Sequence, residues 1–178
     1  MKSRKVFLSK KISVILLIIL VYIDALLDII RGKEGNPLWI PFVDNFGIYI
    51  VLILAPFVIL LFYLFIKCLA KIVVKVDKTP FAEEILLTAL VVIYGFFDLW
   101  LISVDFFGFK LIKNFYYTIP FLIIIGLIYA LWAEWMVKKR KKKNDIRKRK
   151  TSKHMAAYVL IGLAVIWAAP FVVNLLIA

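Results

Sequence analysis

With one cysteine, one histidine and no glutamine in 178 residues, several chemistries are closed to this chain from the start. A lone Cys68 leaves no internal disulfide and no metal centre built on a cysteine cluster. A lone His154 leaves no haem-ligand pair. It is expected at the basic start of a late apolar run, near no serine elbow, so a serine–histidine intramembrane hydrolase is also excluded. No glycine-rich phosphate loop and no lipid-transferase aspartate motif is present. No cofactor, metal or catalytic set is implied, and a non-enzymatic protein is expected. Acid is scarce too, with 11 Asp and Glu against 24 Lys and Arg and a net charge of +13. Lack of glutamine beside abundant Ile and Lys suits a thermophile.

What fills the chain is apolar: 65% hydrophobic residues and a mean hydropathy of +0.99, against roughly half in a soluble domain. Five stretches, 12–30, 47–66, 82–104, 115–137 and 155–177, each approach the ~20 residues that cross a ~30 Å hydrocarbon core. The first is longer than a signal-peptide core and has no small-residue cleavage site, so it is expected to remain as a helix. The basic residues punctuate these stretches alternately. Lys2, Arg4, Lys5, Lys10 and Lys11 precede the first; Lys67, Lys71, Lys75 and Lys78 close the second; a basic linker over 138–153 follows the fourth. Basic connections stay on the cytoplasmic side. The reading is an all-α, polytopic membrane bundle of five helices in one domain over 1–178. Its amino terminus is cytoplasmic, its carboxyl terminus outside, and its place the cytoplasmic membrane.

The lysines after residue 66 recur at helical spacing opposite Leu69, Ile72, Val73 and Val76, so the second helix is expected to run on to about residue 76 along the membrane surface. Lys67, Lys71, Lys75, Lys78, Lys138, Lys139 and Arg140 are then the expected contacts with anionic headgroups. Nucleic acid is not an expected partner, because the run 138–153 holds no aromatic among its bases. Other membrane subunits or a second copy are. Thr79-Pro80 reads as a cap and first-turn proline, with Glu83 and Glu84 complementing the helix dipole. Pro56, Pro120 and Pro170 predict kinks. Trp132 and Trp135 mark the inner interface. Trp39, Trp100, Phe106, Phe107, Phe109, Phe115, Tyr116 and Tyr117 mark the outer one, while Trp167 falls at mid-membrane.

The carboxylates are the chemical signal. Asp24 and Asp98 each lie about six residues inside the outer end of a span, roughly 9 Å deep. Asp28 stands one turn above Asp24, and Asp105 two turns above Asp98. No Lys or Arg lies within an apolar span, and an aspartate at a helix centre costs ~2.5–3.5 kcal/mol on insertion scales. Protonation, a hydrogen bond, a bound cation or a watery vestibule would each relieve that cost. Tyr22, Tyr49, Tyr94, Thr118 and Asn174 are polar groups placed to line such a cavity. Asp24, Asp98, Asp28, Asp105 and Asn174 form the candidate site for a proton, cation or cationic ligand. Plain interfacial solvation is the simpler reading of Asp28, Asp105 and Glu134. Residues 21–27 align with 95–101, aspartate on aspartate, as a faint parallel repeat.

Three resemblances bear on this. The loop Gly32-Lys33-Glu34-Gly35-Asn36-Pro37-Leu38, with Asp24 in the preceding helix, resembles small multi-pass prokaryotic membrane proteins grouped only as a domain of unknown function. That resemblance covers about residues 16–70 and implies a role for Asp24, Glu34, Asn36 and Pro37. Intramembrane aspartyl proteases are similar in using aspartates on two helices, but their Gly-x-Gly-Asp motif is here Tyr94-Gly95-Phe96-Phe97-Asp98. Asn36-Pro37-Leu38-Trp39 resembles the loop of tryptophan-rich sensory proteins. The expected function is a small binding or transport bundle with an acidic, outward-facing cavity. An accessory or scaffold subunit is the alternative, and a protease the third reading.

Overall fold

The computed structural model describes residues 7–33, 39–109 and 115–144. All regular structure among them is helical: α1 (Lys10–Arg31), α2 (Ile40–Phe46), α3 (Ile50–Asp77), α4 (Ala82–Asp105) and α5 (Phe115–Asn144). Helices α1, α3, α4 and α5 are each long and apolar enough to cross a membrane, as an integral membrane protein requires. The 22 residues of α1 extend ~33 Å at 1.5 Å per residue. The expected fifth span, with His154, Trp167, Pro170 and Asn174, lies outside the described residues. So do Glu34, Asn36 and Pro37.

Local chemistry sets the helix ends. Ser9 caps α1 by accepting the Ile12 N–H. At the other end Gly32 adopts a left-handed φ of 65°. From there the Gly32 N–H donates to the Ile29 carbonyl and the Lys33 N–H to that of Asp28, a Schellman closure that only glycine enters without strain. Helix α3 runs unbroken through Pro56 over its 28 residues, carrying Lys67, Lys71 and Lys75 outward. On this stretch Ala70 and Val73 are buried, while Ile72 and Val76 stay exposed, so the expected apolar side is narrower and rotated. Helix α5 continues past the expected boundary at 137 to Asn144.

The α3–α4 connection departs from expectation. The N-cap of α4 is Phe81, in left-handed conformation and without a side-chain cap bond. Thr79 is buried instead, and its hydroxyl donates across to Glu134 on α5. A buried carboxylate is the stronger acceptor, and it draws Thr79 away from the helix start.

Packing places α4 at the centre, in contact with α1, α3 and α5. Its residues from Ile85 to Leu90 are buried without interruption, as befits a helix covered on every side. Across from it, α5 presents Gly126, Ala130 and Ala133, one small residue per turn, and the two alanines are wholly buried. A Cβ at Gly126 would overlap Cδ1 and Cγ1 of Ile93 on α4, so the Ile93 side chain seats directly on the glycine there. Helix α3 by contrast turns Ile53, Phe57, Leu60, Leu61 and Leu64 outward. That face is suited to lipid.

Candidate functional site

Helices α1 and α4 run in parallel as neighbours, and α1 packs against α4 more extensively than any other pair does. Two polar fastenings join them. At the Lys10 end, the Lys10 ammonium pairs with Glu83 at 2.6 Å. Beside it the Thr88 hydroxyl oxygen accepts the Leu8 N–H at 3.1 Å and lies 3.4 Å from the Ser13 hydroxyl. At the opposite end Arg31, the last residue of α1, reaches Asp105, the last of α4, through Nη1 at 2.8 Å. Its Nη2 pairs with Asp28 on its own helix. Lys33 approaches the other Asp105 oxygen at 3.6 Å.

This second fastening revises the reading of Asp28 and Asp105. Asp28 is buried, and both carboxylates are held by Arg31 rather than left to plain solvation. The pairing is internally balanced, since two carboxylates meet two cations. Asp28 and Arg31 stand at the i,i+3 spacing that lets side chains meet on one helix face, and that spacing was the signal available in the sequence. Nothing local pointed to Asp105, which lies 74 positions away. A partnership with Glu34, also open to Arg31, falls outside the described residues.

Between the two fastenings sit Asp24 and Asp98. Each precedes the end of its helix by seven residues, ~10 Å below the Arg31 end, so the parallel packing brings them to one level. The packing of α1 on α4 sets them on neighbouring helices, which the sequence did not reveal because helix order was unknown. Asp98 is only 4% exposed, and neither of its carboxyl oxygens has a hydrogen-bond partner among the described residues. Asp24 is half-buried and engaged in interactions of its own. Tyr94, one turn before Asp98, belongs to an aromatic series with Phe62, Phe97 and Trp100 whose neighbouring rings lie 5.6–6.3 Å apart. Thr118 is buried, whereas Tyr49 is 70% exposed and points away from any site.

An ionised carboxylate in such a place, without donors, costs several kcal/mol relative to water unless a positive charge joins it. The arrangement is therefore suited to holding a proton, a single cation or a cationic group between α1 and α4.

Glu134 is a further buried carboxyl, and here too plain solvation gives way to enclosure: it is 4% exposed. It accepts from Thr79 at 3.1 Å and pairs with Lys138 one turn on. Lys138 is thus committed to its own helix. Lys139 stacks over the Trp135 ring at 4.6 Å, and Lys67 lies 6.0 Å from the centre of the Tyr63 ring. No cluster of three metal-ligating His, Cys, Asp or Glu side chains occurs among the described residues. No family model, no curated protein and no solved structure matches this chain.

Proposed function

We propose that the chain is a multi-pass protein of the cytoplasmic membrane that binds a proton, a cation or a cationic ligand at Asp98 and Asp24, as a small binding or transport bundle. The observation that carries this is Asp98, a carboxyl buried between helices with both oxygens unpartnered among the described residues. A group placed only to pin neighbouring helices would spend those oxygens on donors, as Glu134 does. The Lys10 end faces the cytoplasm in this reading, because the lysines of α3 and Lys138 and Lys139 of α5 gather there. Lys67, Lys71, Lys75, Lys78 and Lys139 then meet anionic headgroups. The Arg31 end faces outward, which makes the Asp24–Asp98 level the outer third of the membrane.

The test is binding and flux in purified protein reconstituted into vesicles, with Na⁺, K⁺ and H⁺ as probes. Asp98→Asn is expected to weaken binding at least ~tenfold, equivalent to ~1.4 kcal/mol, and Asp24→Asn to weaken it less. Equal binding in the parent and both variants would overturn the reading. If the two substitutions instead alter association with other membrane subunits and leave ion binding untouched, the accessory role takes its place.

A further inference from the structure

We infer that Arg31 is the outer gate of the Asp98 site, a cross-helix clamp whose release opens the space between α1 and α4 toward the Arg31 end. This inference rests on reading Asp98 as the binding group.

The clamp stands in the right place. Asp105 lies two turns above Asp98 on the same face of α4, and Asp28 one turn above Asp24 on α1. Arg31 spans the gap between those two faces, so a path from the Arg31 end to Asp98 runs past its guanidinium. Its side chain is 10% exposed and that of Asp28 7%, while Asp105, at 18%, completes the pair at the outer rim of the two helices. Lys33, far more exposed at 67%, reaches Asp105 from the outer side.

The clamp is also built to move. Arg31 uses Nη1 and Nη2 but leaves its buried Nε with no acceptor among the described residues. A guanidinium with an unspent buried donor is less firmly committed than one with all its donors engaged. Only one of its two carboxylates, Asp105, belongs to the other helix. Leaving Asp105 therefore parts α1 from α4 while Arg31 keeps Asp28 as a countercharge, so opening never strands a buried cation. Opposite Arg31, the Schellman turn at Gly32 ends α1 immediately after the clamp and keeps the Lys33 ammonium beside Asp105. The Lys10–Glu83 and Ser13–Thr88 fastenings, on the far side of Asp98, hold the helices together when the outer end parts. The device is a hinge fixed at one end and latched at the other.

Leu101 is the reporter. It lies between Asp98 and Asp105 on α4 and is buried. In a Cys68→Ser background, Leu101→Cys would be exposed to a membrane-impermeant methanethiosulfonate from the Arg31 side. With Arg31 present, labelling should be slow. With Arg31→Gln it should quicken about tenfold, because the variant loses the charge-assisted bond that joins α1 to α4 at this end, worth about 1.4 kcal/mol as that fold-change. Asp105→Asn should act in the same direction through the other helix, and serves if the arginine variant does not fold. Rapid labelling with the clamp intact would overturn the inference, as would equal, slow labelling in all three proteins. Ion binding measured on the parent protein decides the Asp98 reading independently, so the two can fail separately.

Discussion

Asp98 and Glu134 are equally buried carboxyls, yet their surroundings treat them in opposite ways. Glu134 is met by a hydroxyl and an ammonium, whereas Asp98 receives neither among the described residues. Their substitutions should diverge accordingly. Asp98→Asn is expected to leave the unfolding temperature in detergent unchanged or raised, since it removes a carboxyl with no hydrogen bond among the described residues, while ion binding falls. A drop in stability with binding intact would mark Asp98 as a structural pin. At Glu134 the order is reversed. Thr79→Val should cost about 1 kcal/mol, the worth of one hydrogen bond. Lys138→Met should cost about 2 kcal/mol, because it leaves a carboxylate enclosed without its countercharge. Thermal unfolding of the two variants side by side checks that ranking. The sequence showed which residues were acidic and how deep they lay, but not which would be satisfied. Glu134 sits among Trp132, Trp135 and lysines, a composition that suggests an interface, and its burial comes from Thr79, 55 positions earlier.

At the level of helices, length and composition were sufficient for the four long apolar elements, because each apolar run is closed by charge, proline or glycine. They were insufficient for α2, whose seven residues are too few to show a period; Pro41 in its first turn was the one cue. Close approach between α4 and α5 was equally hidden, since a single glycine in an apolar run has many meanings until Ile93 is seen opposite it. Gly126→Ala should push Ile93 off its rotamer at a cost of about 1–2 kcal/mol, and Gly126→Leu should separate the helices outright. Both are read as the loss of unfolding temperature relative to the parent. Gly32→Ala should cost about 1 kcal/mol through its left-handed backbone, and it should also speed labelling at Leu101→Cys by loosening the turn that ends α1 beside the clamp.

For the molecule as a whole, the arrangement of charge predicts sidedness. Cys68 is exposed beside Lys67 near the basic end of the bundle, so an impermeant thiol reagent should leave it untouched in intact cells and modify it in inverted vesicles. Labelling from outside would reverse the orientation and, with it, the side from which Asp98 is reached. Charge alternation alone supports this topology. The shared level of Asp24 and Asp98 and the pairing of Arg31 with Asp105 needed the packing order, which no local pattern encodes.

The sequence distance between Arg31 and Asp105 has a consequence during synthesis. At ~5–20 residues per second, α1 waits on the order of 4–15 s before its partner on α4 exists. In that interval a lone guanidinium would enter the bilayer with nothing to neutralise it. Asp28, three residues back, forms its pair as soon as the last turn of α1 closes, and so escorts Arg31 until Asp105 arrives. Asp28→Asn should therefore lower the yield of inserted protein more than the stability of the molecules that do insert, a difference visible when membrane-integrated yield and unfolding temperature are measured on the same preparation.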